Sequence, residues 1–312
     1  MVLLISDTIQ ETEIEVYDWL SNMGIKCKLI STTQFFNSLT LTFDDNYNFL
    51  IIDDNDLKNK YNKIWLRRDR FSSSRFLLNT NFDDIISYLE EEADTLKDFI
   101  LEKENSNIKI LSSYSNKKLN KLNVLKNAKE VGLNIPDFII TNRKSQLKIF
   151  LEKHQKIITK AVYENLRFDE NNKRYFQYVE IITKNMLSEI PNMFFPSFFQ
   201  KYISQKYEIR AFYLNGEVYA MANLLRKGLR GDIRRTGYVS RKIPYTFDKN
   251  NIDKITSLMN KYNLTIGALD FIIDDKDNLY FLEVNPNGNF LIVSKYCNYN
   301  LEEKVANYLA YG

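Results

Sequence analysis

Short apolar runs alternate with an amphipathic stretch at the start of the chain. Apolar residues dominate 2–6, 26–31, 49–53 and 63–67, and residues 11–24 carry apolar positions at helical spacing. Short runs separated by helical segments are typical of parallel strands in an α/β layer. The pattern therefore predicts that the chain begins with a small α/β domain.

A longer amphipathic helix is predicted after residue 80. Its apolar residues recur at helical spacing, while acidic residues fill the opposite side. We expect this helix to cover the sheet. The apolar residues are Phe82, Ile85, Ile86, Leu89, Ala93, Leu96 and Ile100.

A hinge into a second lobe follows an apolar strand at 108–113. Gly132 is placed to end a helix, and Pro136 stiffens the entry to a strand at 137–141. Beyond the hinge the pattern predicts a helix, a strand, an aromatic strand pair and an apolar strand. They occupy residues 145–153, 156–162, 173–184 and 194–203.

The last third of the chain predicts a sheet built from hairpins. Asn215 and Gly216 lie between two alternating strands within 207–223, which signals a tight hairpin. A polar loop, a helix, a second strand pair and a terminal helix complete the pattern. These lie at 226–237, 248–262, 264–274 with 279–285, and 301–311.

Length and composition indicate a globular chain of more than one lobe. The chain has 312 residues, 44% of them hydrophobic, which is enough to bury more than one core. Together with the predicted elements this gives an α/β fold with α+β lobes. We expect three domains, at 1–107, 108–203 and 204–312.

Charge and apolar patterning argue against several partners. The net charge of +3 produces no field that would favour nucleic acid. The first ten residues hold too short an apolar run for a signal peptide, and no run approaches the ~20 residues of a membrane span. We therefore expect a cytoplasmic protein that binds neither nucleic acid nor membrane. Cys27, Cys297 and His154 are too scattered to predict a zinc or redox site.

Two carboxylates lie on neighbouring predicted strands in apolar company. Asp270 is on the first strand of the last pair and Glu283 is on the second. Left unpaired, both would carry a large desolvation cost, which a divalent cation can offset. Asn285 lies two residues beyond Glu283, so it points to the same side and adds an oxygen ligand. This all-oxygen set suits Mg²⁺. In the alternative, Asp270 and Glu283 pair with nearby Arg or Lys in a structural network.

Asp270, followed on the next strand by EVNPNG, resembles the C-terminal metal motif of the ATP-grasp superfamily, whose members activate a carboxylate as an acyl phosphate. The resemblance extends to the motif N-K-x3-L-x2-A-x3-G-(I/L)-x-(I/L)-P, which opens the family's central lobe. The matching residues are Asn120, Lys121, Leu125, Ala128, Gly132, Leu133, Ile135 and Pro136.

The resemblance assigns basic residues to the phosphates of ATP. It implies that Lys121, and Lys160 at the end of an apolar strand, neutralise these phosphates as mobile point charges. Arg210 and Arg234 resemble family arginines that contact the γ-phosphate and the acyl phosphate. A planar guanidinium suits that role because it binds phosphate oxygens bidentately.

Other residues are assigned to the nucleoside on the same ground. The sequence QKYI resembles the strand that holds adenine through backbone groups, with Gln200, Lys201 and Ile203 as its candidates. Glu208, several residues further on, matches the carboxylate that binds the ribose hydroxyls. Together with the metal ligands, these residues imply that the chain binds ATP and Mg²⁺.

One departure points to a particular branch of the superfamily. Residues 161–195 contain no glycine, whereas many ATP-grasp enzymes have a glycine-rich loop over the phosphates here. This stretch, the sequence FLEVNPNGNF and the strand IWLRR resemble the microviridin-type and grasp-with-spasm maturases, which make graspetides. Trp65 can alternatively be a core aromatic, and Arg67 and Arg68 a solvated pair.

That branch implies a function. Its members phosphorylate Asp or Glu side chains of a ribosomally made precursor peptide and close them onto Thr, Ser or Lys side chains as macrocycles. Strands within 173–184 and the helix-like 185–190 are candidates for docking the leader segment, or else form lobe core. Asp232 near Arg234 is a candidate general base, or else a loop cap. Related ligases often form dimers, so a homodimer is compatible with the resemblance.

Two rival functions share these residues. The first is a glutamate-ligase-like ATP-grasp enzyme that adds a free amino acid to a protein or peptide. A change in product mass separates it from ring closure. The second is a nucleotide-dependent regulatory protein that keeps the lobe without the chemistry. The intact set of lysines and carboxylates argues against this second function.

Overall fold

The structure is a computed structural model that describes most of the chain. The described residues are 1–37, 41–43, 49–51, 61–68, 83–101, 109–112, 119–162, 167–170, 173–224 and 241–312. The elements of the first third are β1 (Val2–Ser6), α1 (Glu11–Asn22), β2 (Cys27–Ser31), α2 (Thr32–Asn37), β3 (Leu41–Phe43), β4 (Phe49–Ile51), β5 (Lys63–Arg68), α3 (Asp83–Leu101) and β6 (Lys109–Ser112).

The N-terminal sheet is parallel, with the strand order β2-β1-β5-β6. Every residue of β1 is buried, as expected for a parallel strand that is covered on both faces. The predicted α/β layer is confirmed. The prediction that 49–53 adds a strand to it is wrong, because β4 pairs antiparallel with β3 in a separate ribbon. The strand β6 lies beyond residue 107, so this sheet extends past the predicted domain boundary.

The central lobe is built on an antiparallel sheet with the order β11-β8-β12-β7. One face is covered by a helix, α5, which buries Leu147 and Leu151 against Ile157 and Phe199. The elements are α4 (Lys121–Glu130), β7 (Phe138–Arg143), α5 (Lys144–His154), β8 (Ile157–Thr159), β9 (Arg167–Glu170), β10 (Lys173–Phe176), β11 (Glu180–Ile182), a 3₁₀ helix (Asn185–Ser188) and β12 (Met193–Lys201).

Two predictions for this lobe have different outcomes. Gly132 follows α4 with a φ of +86°, a left-handed conformation that glycine adopts readily, so the predicted helix stop is confirmed. The predicted strand pair within 173–184 is wrong in its pairing. Instead, β10 pairs with β9 in a hairpin of its own, and β11 pairs with β8.

The C-terminal lobe carries an antiparallel sheet with the order β15-β14-β13-β16-β17. Asn215 and Gly216 both have positive φ between β13 and β14, so the predicted tight hairpin is confirmed. The predicted polar loop at 226–237 lies outside the described residues. The elements are β13 (Gln205–Leu214), β14 (Glu217–Leu224), β15 (Arg241–Tyr245), α6 (Lys249–Lys261), β16 (Ile266–Asp274), β17 (Leu279–Asn285), α7 (Leu291–Cys297) and α8 (Leu301–Tyr311).

The two faces of this sheet have different neighbours. Ile209 and Leu269 point to one face, where they are buried against α4 and α6. Phe212 points to the other face and shares a core with Trp65 of β5 and Val305 of α8. Through this shared core the N-terminal domain packs on the C-terminal sheet. Among the described residues, no helix is both long and apolar enough to cross a membrane.

Candidate active site

The strands of the C-terminal sheet bring Arg210, Asp270 and Glu283 into one row. Arg210 of β13 is in register with Asp270 of β16, which is in register with Glu283 of β17. Residues directly opposed on antiparallel strands have Cβ atoms about 4.5–5.5 Å apart. The two predicted carboxylates therefore lie within reach of a single cation.

A β-bulge lies in the middle of this row. Asp270 pairs with Glu283, whereas the next residue, Phe271, pairs with Phe281. Leu282 therefore has no counterpart on β16. A bulge of this kind adds one residue to a strand and reverses the faces to which the following side chains point.

The bulge decides which face Glu283 occupies. Phe281 and Val284 are both buried in the core under α4 and α6, although they are three positions apart and regular alternation would put them on opposite faces. Glu283 and Asn285 flank Val284 and so point to the opposite face. The sequence prediction that these two residues share a face agrees with this placement. Strict alternation from Phe281 would have put Glu283 in the core.

Both carboxylates are paired with basic side chains. Arg210 Nη1 lies 2.6 Å from Asp270 Oδ2, and Lys121 Nζ lies 3.5 Å from Glu283 Oε2. These are the Arg and Lys pairs of the alternative interpretation. Their positions do not exclude a cation site, because carboxylate oxygens accept more than one partner.

Lys121 reaches the site from the first turn of α4. The Asn120 side chain caps this helix by accepting hydrogen bonds from the backbone N–H groups of Leu122 and Asn123, at 3.0 and 3.2 Å. A lysine in the first turn is unfavourable for the helix dipole, whereas an anion beside that turn is favourable. The position of Lys121 is therefore better suited to binding an anionic ligand than to stabilising its own helix.

Lys160 follows β8, as predicted, and its ammonium lies 5.7 Å from the centre of the Phe198 ring. Burial lowers the pKa of Lys160, the Glu283 and Asp270 carboxylates raise it, and Lys121 lowers it. Burial raises the pKa of Asp270. The Arg210 guanidinium opposes this increase, and the Glu283 carboxylate adds to it. Together with the two ion pairs, these interactions group the five side chains into one electrostatic cluster. Its cations outnumber its carboxylates by one, which suits an anionic ligand.

The predicted adenine strand is the end of β12. Gln200 is 1% exposed, and its Nε2 has no hydrogen-bond partner among the described residues. The backbone N–H of Lys201 donates to the Asp137 carbonyl at 2.8 Å, so this group is already used within the lobe. Ile203 is buried. A buried amide without a partner is costly, and a ligand that accepts its hydrogen bond would remove that cost.

Glu208 lies on the same face as Arg210, two residues earlier on β13. Its register neighbours are Asn223 on β14 and Ile272 on β16. Asn223 was not predicted as a site residue, yet its Oδ1 is buried and has no hydrogen-bond partner within the described part of the chain. The register set by the two-residue Asn215–Gly216 turn could have placed it opposite Glu208. Arg234 and Asp232 lie outside the described residues.

A family comparison agrees with this geometry. The family model described as the RimK-like ATP-grasp domain matches residues 115–309, which include all of the cluster. The chain belongs to the RimK-like ATP-grasp family. The predicted superfamily is thereby confirmed. No curated protein matches the chain.

Solved structures resemble this RimK-like chain over its whole length. The macrocyclase MdnC from Microcystis aeruginosa, bound with the precursor peptide MdnA, is 20% identical, with a TM-score of 0.81 and 99% of each chain covered. An ATP-grasp ligase associated with ribosomal peptides from Chryseobacterium gregarium, in complex with ADP and a leader and core peptide, is also 20% identical. Its TM-score is 0.81, and the match covers 99% of this chain and 96% of that one.

A third structure extends the same likeness. The ATP-grasp ligase PsnB, complexed with a phosphomimetic precursor variant, Mg and ADP, is 14% identical, with a TM-score of 0.77 and coverage of 99% and 97%. Likeness at this identity establishes a shared fold and leaves function to be argued from the site. The predicted ATP-grasp fold is confirmed, and the RimK-like chain shares its N-terminal domain with these ligases as well.

Proposed function

We propose that the protein is an ATP-dependent peptide maturase. It phosphorylates Asp or Glu side chains of a ribosomally made precursor peptide and closes them onto Thr or Ser side chains as esters, or onto Lys as amides. The observation that carries this proposal is the convergence of Lys121, Lys160 and Arg210 on the Asp270 and Glu283 carboxylates. The whole-length likeness to ligases bound with precursor peptides supports a peptide as the substrate.

The site fits Mg²⁺ and ATP. No group of three or more His, Cys, Asp or Glu side chains suited to a metal lies within the described residues. Asp270, Glu283 and Asn285 instead provide a small set of hard oxygens, which matches the way Mg²⁺ is bound by one or two carboxylates together with substrate phosphates. When bound there, Mg²⁺ would neutralise phosphate oxygens during transfer. The unpartnered Gln200 amide fits a nucleobase acceptor.

The chain's own residues stabilise charge and contribute no covalent nucleophile. The peptide carboxylate attacks the γ-phosphorus and ADP leaves. A hydroxyl or amine of the same peptide then attacks the acyl carbon, and phosphate leaves. Arg210 has further N–H donors besides the one on Asp270, so it can bind a phosphoryl oxygen while it keeps that pair. Arg234 is proposed for the acyl phosphate, and Asp232 is the proposed acceptor of the nucleophile's proton.

Partner and location belong to the same proposal. The hairpin of β9 and β10 and the 3₁₀ helix at Asn185–Ser188 lie in the region predicted to dock the leader, and Tyr175 on this hairpin is exposed. An exposed aromatic is a common anchor for a peptide. A homodimer and a cytoplasmic location complete the proposed description.

Product mass tests the proposal directly. The protein is incubated with ATP, Mg²⁺ and a precursor peptide encoded beside its gene. Each ring should reduce the peptide mass by one water, because ester or amide formation expels it. A gain equal to an amino acid residue would instead identify the glutamate-ligase-like function. Nucleotide binding without any change in peptide mass would favour the regulatory function.

Replacing Lys160 with Met should weaken binding of ATP and its non-hydrolysable analogues. Loss of one phosphate-facing charge in a half-buried site is expected to cost about tenfold in affinity, or roughly 1.4 kcal/mol. Calorimetry measures this change. The matched control is Lys156→Met, because Lys156 precedes the same strand and lies 3.9 Å over the Tyr202 ring. Equal losses in both variants would remove Lys160 from the site.

Replacing Gln200 with Met should weaken nucleotide binding without destabilising the protein. The buried Nε2 lacks a partner, so removing it is expected to leave the free energy of unfolding unchanged or raise it by up to about 1 kcal/mol. Affinity for ADP should fall by about five- to tenfold through the lost hydrogen bond. Tyr202→Phe is the control, since its buried hydroxyl is equally without a partner among the described residues. Unchanged ADP affinity in Gln200→Met would contradict the assignment.

A further inference from the structure

A buried ion pair within the N-terminal domain lies beside the segment that follows β17, the metal strand, which carries Glu283 and Asn285. Arg67 Nη1 lies 3.1 Å from Glu13 Oε1, and the two side chains are 3% and 1% exposed. Ser6 donates its hydroxyl to the same Glu13 oxygen at 3.2 Å, and the backbone N–H of Gln10 donates to Oε2 at 3.0 Å. The predicted alternative of a solvated Arg67 is therefore wrong, whereas Trp65, at 1% exposed, is a core aromatic.

The guanidinium of Arg67 contacts the segment that follows the metal strand. Its Cζ lies 5.8 Å from the ring centres of Trp65 and Phe290. Phe290 is fully buried and packs on Phe212 of β13, with ring centres 4.6 Å apart. Phe212 is two residues from Arg210 on the same face of that strand. The ion pair therefore supports the Phe290 ring, which joins this segment to β13, the strand that carries Arg210.

A second contact joins the same two parts of the chain. Thr12 of α1 donates its hydroxyl to Asn289 Oδ1 at 3.4 Å, and this oxygen also accepts the backbone N–H of Leu291 at 3.0 Å. The turn before it is closed by Gly288 N–H, which donates to the Asn285 carbonyl at 3.0 Å. The path from the candidate ligand Asn285 to the N-terminal domain is thus one short turn.

Stability alone does not explain a charged pair at this position. Apolar side chains of similar volume usually stabilise a buried site as well as an ion pair does, because both charges must be desolvated. The pair offers directionality instead, since a planar guanidinium fixed by a carboxylate can hold a ring at one position and angle. Such directionality would fix the end of β17, where Asn285 lies.

We propose that Arg67 and Glu13 are positioning residues for the Mg²⁺ site. They hold Phe290 against the N-terminal domain, beside the contact between Thr12 and Asn289, and thereby fix the turn that presents Asn285. This inference rests on the proposed function, because it concerns the same metal site. It adds a contribution of the N-terminal domain to a site whose ligands all lie in the C-terminal lobe.

The test is the Mg²⁺ dependence of ADP binding, followed by calorimetry, in the full-length protein. The double variant Arg67→Met with Glu13→Gln removes both charges but keeps the stem of residue 67 and a glutamine for the helix cap. Its Tm should stay within about 4 °C of the wild type. The Mg²⁺ concentration for half-maximal ADP binding should rise about tenfold, the lower end of the ~10- to 100-fold effect of groups that orient metal ligands directly.

Two further variants make the test specific. Phe290→Leu removes the ring through which Arg67 is proposed to act, so its effect on the Mg²⁺ midpoint should resemble that of the double variant, and the combination should be less than additive. Arg67→Lys keeps the charge but loses the planar fork, and it should raise the midpoint even if the charge-free pair fails to fold. The control is Glu11→Gln. It breaks the exposed Lys295–Glu11 pair, which joins α7 to α1 at the surface, and should change nothing.

The outcomes separate the two proposals. Folded Arg67 and Glu13 variants with a wild-type Mg²⁺ midpoint would overturn the positioning role, and so would fully additive effects with Phe290→Leu. A wild-type protein that binds no ADP in the presence of Mg²⁺ would refute the proposed function, and the positioning role with it.

Discussion

The Asp270→Asn variant should lose nearly all peptide modification while it remains folded. Asp270 is the centre of the row in which it meets Arg210 and Glu283, so its loss removes a metal ligand and the carboxylate that orients Arg210. Removal of one group that stabilises transition-state charge typically lowers kcat about 10²- to 10³-fold. The rate is measured as the loss of water from the precursor peptide by mass spectrometry.

A matched control distinguishes this effect from a general loss of charge. Asp253→Asn makes the same change at an exposed position of α6 and should keep the wild-type rate. Thermal unfolding is compared in parallel to check that Asp270→Asn remains folded. We expect that it does, because the neutral asparagine carries no charge that must be desolvated. Wild-type turnover by a folded Asp270→Asn variant would leave the structural ion-pair network as the explanation of this residue.

The pH dependence of stability gives a second readout for the same substitution. Burial raises the pKa of Asp270 above its ordinary value of 3.8. Between pH 3.8 and the raised pKa, the folded state therefore binds more protons than the unfolded state. The contribution of Asp270 to stability is lost as pH rises through its raised pKa. The asparagine does not titrate. The free energy of unfolding of the variant, relative to that of the wild type, should accordingly increase as pH rises above 3.8. A difference that does not vary with pH would contradict this expectation.

Local patterns predicted much of the fold and the main site residues. The Asn215–Gly216 hairpin is specified by two adjacent residues that tolerate positive φ. Gly132 ends a helix for the same reason. Asp270 and Glu283 could be found because a carboxylate in an apolar strand breaks the pattern around it. Each of these signals lies within a few residues of the feature that it predicts.

Features that depend on distant partners could not be predicted. Arg67 is buried because Glu13, 54 residues away, supplies its counterion. The bulge at Leu282 follows from the register between two strands, which the sequence of β17 alone does not contain. The strand β4 pairs with β3 as a ribbon, although its apolar run resembles those of the parallel strands. In each case tertiary contact, and not local preference, decides the outcome.

A final signal present in the sequence had a different cause from the one expected. The turn after β17 is closed by Gly288 N–H, which donates to the Asn285 carbonyl, and a glycine in such a turn is expected to supply a positive φ. Its φ lies outside the left-handed region, so its backbone conformation does not require glycine. The requirement is space, because a Cβ at this position would lie 2.1 Å from the Cβ of Ala268 on β16.

Gly288→Ala should therefore destabilise the protein and disturb the site at once. Overpacking of this kind costs about 1–3 kcal/mol, and the turn can relieve it only by moving away from β16. Asn285 begins that turn and pairs with Ala268, so peptide modification should fall by about tenfold or more, since a small misplacement of a reacting group is costly. Denaturant unfolding and product mass measure the two effects.

The compensating variant Ala268→Gly tests the cause. It removes the Cβ that the new methyl group would meet, so in the Gly288→Ala background it should restore part of both stability and activity. Restoration should be incomplete, because the backbone N and Cα of residue 268 would still lie at 3.0 and 3.1 Å from the added Cβ. As a single change, Ala268→Gly should be mildly destabilising. Effects that simply add in the double variant would show that the two residues do not meet, and that another property of Gly288 holds Asn285 at the end of the strand.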